Sequence, residues 1–566
     1  MGAYDGIMPR VVSSGEEDEV SAALREFAQL QVTKTNFNQQ FEEVAQLLMP
    51  SYRNTFMYGS NTAPGTKKTD HQVDATGMMA LSRFGAICDS LLTPRNQMWH
   101  SIEAEDDYVM KDRATRLWFE DTTRRLFKLR YSATANYASQ NQSIYKSLGA
   151  FGTGGLFIDR LYDPRGTKGF RYRAMPLGEI YIKENHQGLV DGFIRHFQLT
   201  ARQAEQRWPG KLPAQLIVAL DKNSEQLFNF LHRVCPRTDN YDPGAYDARS
   251  KPFKSQYIAL EGRCMMPNPD SGALEGGYNS FPAAISRYEQ APGEVYGQSP
   301  AMQVLPALKT LNAEKTVFLK QGHRAGDPTL LVHDDSIVPT IRPGSFVPGG
   351  VNADGRPLVI PLQGGNIQIT KEMMQEERQL INDAFLVSLF QILTESPQMT
   401  ATEVIERINE KGILLAPTVG RQMSEYLGPK IHRELDLASD MGLLLPMPPR
   451  LQEANGSYQV KYTSPLAKAM RAGDASGFMR LVSELKEIFA VTQDPSLFDP
   501  ISFDRATPDL ADIHSVPPEW MASDEEIGGI RQNRAKQQQI QQRIQAAPAA
   551  AAMMKAQAVA GEQGAQ

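Results

Sequence analysis

Two short groups of acids and imidazoles stand out in the sequence. His333, Asp334 and Asp335 are consecutive, and Asp509, Asp512 and His514 lie close together. These side chains are the donor types of zinc and hard-cation sites. Both groups fall near expected turns, and neither has the ligand spacing of a known site. The run Gly152-Thr153-Gly154-Gly155 could cradle a phosphate with backbone N–H groups. It lacks GxGxxG and the Gly-Lys-Ser/Thr of a P-loop, and it leads into a strand rather than a helix. It reads as a helix-to-strand turn. No GxSxG, HExxH, HxxEH or kinase set occurs. Neighbouring carboxylates such as Glu376 and Glu377 are what solvated helix faces supply by default. These residues give no active site, no cofactor and no metal, so a non-enzymatic function is expected.

Composition narrows the classes further. The chain has 566 residues, 41% hydrophobic and 22% charged, enough for two to four domains with a sizeable core. A net charge of -6 argues against holding nucleic acid by bulk attraction, which needs dense Lys and Arg contacts to phosphates. It does not argue against a protein that nucleic acid slides past. Cys88, Cys235 and Cys264 are far apart and form no CxxC pair, which fits a reducing cytoplasm. The N-terminus has no apolar signal region. Gly2 is followed by a glycine where a myristoylation site needs Ser or Thr. The most membrane-like run, Leu380 to Leu393, is too short to span a bilayer and carries Asp383.

The elements that must position any function are an α+β mixture. Ser13 and Ser14 precede Glu16 and Glu17 by three, a capping-box pattern. Val20, Leu24, Phe27, Leu30, Phe37, Phe41, Val44 and Leu48 then mark one helical face, which Pro50 stops. Helices are expected at about 74–92, 112–130 and 136–150. Cys88 borders the apolar stripe of the first and reads as core. Beyond Gly155 come strands rich in aromatic and β-branched residues, at about 155–162, 170–176, 179–185, 190–200 and 281–290. A short helix capped by Thr200 interrupts them. Ser299 to about Gln321 reads as one helix, with Pro300 in its first turn and a possible bend at Pro306. A Pro- and Gly-rich segment, 329–366, predicts a small β element. A second long helix runs to Leu393, polar in its first half and apolar in its second.

A polar break, Thr394 to Met399, interrupts this helix. Thr400 and Glu403 then form a capping box for a third helix, along which Val419, Met423, Leu427, Ile431 and Leu435 step by four. Gly412, Pro417 and Pro429 should bend it. A strand and one or two helices follow, then a last helix capped by Ser523 with Glu526 and a Gln- and Ala-rich tail. One chain cannot readily bury a helical hairpin whose arms change polarity along their length. A ring of identical chains could, with the break at 395–399 pointing at the axis.

Several segments together resemble one family. They are LMPSYRNTF at 48–56, GMMALSRFGAICDSLLTPRNQMWHSI at 77–102, VYGQSPAMQVLPALKTLN at 295–312, IRPGSFVPGG at 341–350 and VKYTSPLAKAMR at 460–471. Each is weak alone, but their order and spacing resemble the portal proteins, or head-to-tail connectors, of short-tailed bacteriophages. The resemblance covers about residues 20 to 490. It implies a portal-protein fold with wing, stem, clip and crown, assembled as a ring, usually of twelve subunits, at one capsid vertex of the virion. Residues 1–298 would be wing, 299–324 and 367–393 the stem helices, and 325–366 the clip. Residues 394–400 would be the tunnel loop, 401–454 the wing helix and its return, 455–525 the crown, and 526–566 a C-terminal helix and tail. The implied partners are double-stranded DNA in the channel, the terminase large subunit, the tail adaptor, and the major capsid and scaffolding proteins. Assembly would take place in the host bacterial cytoplasm.

The residues expected to matter follow from that frame. Lys309, Lys315, Lys320 and Lys371 lie on the two stem helices and are the channel-facing candidates. Glu395, Ser396, Pro397, Gln398 and Met399 would form the tunnel loop, fixed by Thr400 and Glu403. Arg342 and Phe346 are the clip contact candidates. Two other readings compete: a peripheral membrane-inserting protein using Leu380–Leu393, and a DNA-processing enzyme with a non-standard metal site.

Overall fold

A computed structural model describes residues 14–56, 65–110, 112–161, 166–238, 247–269, 272–332, 344, 346, 348, 350–362, 367–387, 420–454, 456–463, 465–493 and short pieces of 498–540. The chain divides into two compact units, Met1–Met470 and Arg471–Gln566.

The first unit begins with α1 (Ser14–Leu48), whose apolar face is the one the spacing predicts. Val20, Phe27, Phe41, Val44 and Leu48 are all buried. Ser13 of the expected capping box lies outside the described residues, and Glu16 makes a long-range contact. Its carboxylate is buried and accepts the backbone N–H of Met265 at 2.7 Å, tying the helix start to a strand far along the chain. Helices α2 (Thr76–Leu92), α3 (Asp107–Met110), α4 (Arg113–Arg130) and α5 (Tyr137–Phe151) follow, with β1 (His100–Ala104) between the first two. Cys88 is half-buried on α2, and burial pushes its thiol up to about 12. That is the inert character expected of a core cysteine.

At the glycine run α5 ends and β2 (Thr153–Arg160) begins directly. Gly152 takes φ +70, and a Cβ there would sit 2.2 Å from the carbonyl oxygen of Gly297. The glycines serve a helix-to-strand turn pressed against a second backbone, not a phosphate.

Nine antiparallel strands make the two larger sheets. One has the order β10 (Ala283–Arg287), β2, β3 (Phe170–Met175). The other runs β4 (Ile180–Glu184), β5 (Val190–Thr200), β6 (Leu227–Pro236), β7 (Phe253–Ala259), β8 (Cys264–Met266), with β9 (Glu275–Tyr278) also on β7. Side chains alternate across this six-stranded sheet, so each face has its own core. Tyr181, Ile194, Leu231 and Ile258 pack under the first half of α1. Phe197, Phe228, Phe230 and Tyr257 pack under α6 (Ala201–Arg207) and α7 (Ala214–Lys222). Thr200 and Gln203 form the full capping box at the start of α6. A third pairing joins β1 to β13 (Tyr458–Tyr462) and closes the unit on itself.

The helical stretch from Gly420 to Asp440 opens into a π-helical turn at Met423–Leu427, just before Pro429. Proline has no N–H to give the turn before it, and a π-bulge accommodates that loss. Gln422 and Glu425 clasp β10 here. Gln422 accepts from the Ser286 hydroxyl at 2.7 Å, and Glu425 receives the Arg287 guanidinium at 2.8 Å.

One turn further on, Lys430 and Glu434 enter a buried polar cluster. The Arg130 Nε atom lies 3.1 and 3.2 Å from the two Glu434 carboxylate oxygens, and the Tyr172 hydroxyl donates to the same carboxylate at 2.7 Å. The Lys430 ammonium donates to the Tyr137 hydroxyl at 2.6 Å and lies 4.3 Å from the Trp99 ring centre. Burial and the adjacent Arg130 charge hold the Lys430 amine well below the usual lysine range.

In the second unit Phe489, Phe498 and Phe503 form a small ring cluster, and Arg531 pairs with Asp504.

Candidate nucleic-acid interface

The helix expected from Ser299 to Gln321 is two pieces, α8 (Pro300–Gln303) and α9 (Leu305–Gly326). The Ser299 hydroxyl caps the first by accepting from Met302 N at 3.1 Å. The break at Val304 (φ -101, ψ 13) has a local cause. The ring of Pro306 would clash with the Met302 carbonyl four residues back and offers it no N–H. A fresh start at Leu305 puts Pro306 in the first turn, where it costs little. The second piece then runs beyond Gln321, about 33 Å in all.

Two short strands, β11 (Leu330–Val332) and β12 (Val359–Pro361), pair antiparallel beyond α9, and Val351 bridges Pro357 between them. This is the β element expected in 329–366. Phe346 is 92% exposed there. Arg342 lies outside the described residues, as do His333, Asp334 and Asp335, and likewise Asp509, Asp512 and His514. Among the described residues no group of acids, histidines or cysteines is placed to hold a metal ion.

α10 (Ile367–Ala384) returns alongside α9. Gln321 meets Thr370 through a 3.3 Å side-chain hydrogen bond. Further along, Glu314 faces Glu377, and burial together with the Glu377 charge raises the Glu314 carboxyl above its ordinary range. Met374 and Ile381 are buried on the inner side of α10. α10 itself ends at Ala384; a turn at Phe385–Leu386 interrupts the expected helix, Val387 is helical again, and residues 388–393 lie outside the described residues. Phe385 and Val387 are both buried although two residues apart, a spacing a helix would split between faces, and Leu386 turns to φ +59. No helix among the described residues is long and apolar enough to cross a membrane.

Where α9 and α10 meet the segment just before α2, a polar latch holds them. The Asn312 side-chain oxygen accepts from Val73 N at 2.8 Å and Asp74 N at 3.3 Å, and its amide donates to the His71 carbonyl at 2.8 Å. Arg378 on α10 pairs with Asp74 at 2.8 Å. Burial pushes the Asp74 carboxyl up, but hydrogen bonds from Arg378 and Thr76 outweigh it and hold the group below its ordinary range. Sequence reading missed this latch. Its one visible signal is an asparagine on the apolar side of a helix, next to Leu311.

The four lysine candidates do not form a single row. Lys309 is drawn to Glu43 of α1 at 2.6 Å. Lys315 lies with its ammonium 5.5 Å from the Phe318 ring centre. Lys320 and Lys371 are exposed. At 100° per residue Lys309 and Lys320 share one side of α9, and Lys315 lies about 120° away. Glu395, Ser396, Pro397, Gln398, Met399, Thr400 and Glu403 lie outside the described residues. The geometry offers a long two-helix projection with a β element at its tip and exposed cations along it, and among the described residues no group is placed to hold a metal ion.

Comparison with known proteins gives this projection a context. Residues 20–521 match the family described as bacteriophage head to tail connecting protein. The chain is 27% identical over 543 residues to the probable portal protein of Bordetella phage BPP-1, covering 93% of each chain. It is 26% identical over 553 residues to the portal protein of Salmonella phage epsilon15, covering 94% of each. A solved virion of a native gene transfer agent particle aligns over 73% of this chain and 86% of its own at 11% identity, with a TM-score of 0.32, too low to bear on the fold. The match over residues 20–521 spans most of the sequence, and the chain belongs to the bacteriophage head to tail connecting protein family.

Proposed function

We propose that this protein is a phage portal: a ring of identical chains at one capsid vertex, through which double-stranded DNA enters the head and later leaves it. The observation that carries this reading is the family match over residues 20–521, together with two portal relatives aligned over nearly their full lengths. On this reading α9 and α10 are the stem, and residues 325–366 are the clip. Exposed Phe346, with Arg342, offers a contact first for the terminase large subunit and then for the tail adaptor. Residues 394–400 form the tunnel loop, with Thr400 and Glu403 capping the outgoing wing helix. The chains number twelve, contact major capsid and scaffolding proteins, and become part of the virion after assembly in the host cytoplasm.

The physics of conduction favours this composition. Duplex DNA carries one charge per about 1.7 Å, so a densely basic wall would hold it still. A chain of net charge -6 with sparse lysines lets it slide. Lys309 is engaged by Glu43, which leaves Lys315, Lys320 and Lys371 of the four lysine candidates to meet DNA or a neighbour. On this reading the driving force belongs to a separate motor, since the glycine run is a helix-to-strand turn without the P-loop sequence. A phage lacking this gene should build heads that contain no DNA, and supplying the chain in trans should restore packaging. Normal packaging in its absence would overturn the proposal.

A further inference from the structure

The two stem helices carry exposed apolar residues that one chain leaves uncovered. On α9 Val317 is 47% exposed and Leu319 42%, and on α10 Ile369, Met373 and Leu380 are 49–55% exposed. Ile369, Met373 and Leu380 recur at steps of four and seven, which puts them on one flank of α10, about 100–140° from the buried Met374. The opposite flank carries Gln368, Lys371, Gln375 and Asn382.

The helices are antiparallel and in a definite register, because Gln321 stands opposite Thr370 and Glu314 opposite Glu377. Projecting both helices with their contacting sides together puts Val317, Met373 and Leu380 on one side of the pair. Glu376 is at the rim of that side. Lys315, Leu319 and Lys371 fall on the other side. In the same register Lys315 stands level with Glu376, and Leu319 within one residue, about 1.5 Å, of the level of Met373.

We propose that these two sides are the two halves of one heterologous interface between adjacent copies of this chain. The inference rests on the ring reading above and adds which residues meet. Rotation about a ring axis carries one side of a subunit onto the other side of the next at the same height. Lys315 then meets Glu376 of the next copy, and Leu319 packs on its Met373. At these two levels charge opposes charge and apolar opposes apolar. Lys315 and Lys371 thereby belong to the contact between subunits, and Lys320 is the stem lysine left to face open space.

The test uses the full chain and native mass spectrometry. Wild-type protein should form closed rings. Lys315→Glu and Met373→Asp should each lower the ring fraction about tenfold or more at fixed concentration, as expected when a charge is reversed or buried inside a contact. Both positions are at least partly exposed in the single chain, so melting of the monomer should be unchanged. Lys315→Glu combined with Glu376→Lys should restore rings. A Leu319→Cys, Met373→Cys chain should give a ladder of disulfide-linked oligomers on oxidation. Rings that survive both single changes, with no ladder, would overturn the interface. A wild-type chain that never forms rings would instead overturn the portal reading on which it rests.

Discussion

Replacing Glu434 by glutamine keeps its volume and removes its charge. Both members of the Arg130–Glu434 pair are fully buried, and the Arg130 guanidinium also contacts His100 Nε2 at 2.9 Å. Among the described residues no other carboxylate is hydrogen-bonded to it. Breaking a buried pair from one side leaves an uncompensated charge and costs about 3–5 kcal/mol. The glutamine oxygen can still accept one hydrogen bond, so the lower end applies, about 3 kcal/mol. If Met1–Met470 melts as one unit, its unfolding entropy is about 1 kcal/mol per kelvin, and Tm should fall by about 3 °C. Arg130→Met should cost at least as much, because it strands the carboxylate. The double change Arg130→Met, Glu434→Leu should cost less than either single one, because no charge is then left unpaired. Differential scanning calorimetry of the four proteins at pH 7 measures all of this. A Glu434→Gln chain melting within 1 °C of wild type would refute the reasoning. So would a double variant whose loss equals the sum of the singles.

Other predictions concern different parts of the chain. Lys34 is fully buried, donates to the Ile180 carbonyl at 2.7 Å, and has its amine pushed down to about 7 by burial, against a smaller opposing pull from Glu179. Between pH 7 and about 10.5 the unfolded chain therefore binds the extra proton, so stability rises with pH across that window. Lys34→Met should flatten the rise, and parallel slopes for the two proteins would count against it. Gly152→Ala places a Cβ on the Gly297 carbonyl in a left-handed backbone, and the soluble yield and Tm should both fall, by more than the roughly 1–2 kcal/mol of backbone strain alone. Deleting Ser396–Gln398 should leave rings intact but impair retention of packaged DNA, and ring loss would make that loop structural. The purified chain should hydrolyse no ATP, and robust turnover by a clean preparation would contradict a passive conduit.

The periodic helices were legible in the sequence because their patterns are local. The faces of α1 and α2, the bounds of α4 and α5, the Thr200 cap and the turn at Gly152 all follow from residues within a few positions of each other. The strands β2 to β5 and β10 carry aromatic and β-branched runs for the same reason. β6 to β9 were not singled out, since strands such as Glu275–Tyr278 have little apolar pattern of their own and owe their form to pairing with β7. Long-range ties were invisible: Glu16 to Met265, Asn312 to Val73, and Arg130 to Glu434 each join residues more than two hundred apart. The turn at Phe385–Leu386 was not legible, because an apolar run reads as continuous helix whether or not a turn interrupts it. Of the candidate site, the hairpin was legible from its flanking helices and central Pro and Gly residues, whereas the scatter of the four lysines around the two helices was not. Lys309 looks like any exposed cation until Glu43 is brought beside it by α1.

The central claim is that the function resides in a repeated geometry rather than in a site within one chain. Electron microscopy of the purified full-length protein tests it most directly. The account predicts rings with a central hole wide enough for duplex DNA and a narrow stem on one side. A field of monomers, or of compact particles with no axial hole, under conditions where the chain is folded, would contradict it.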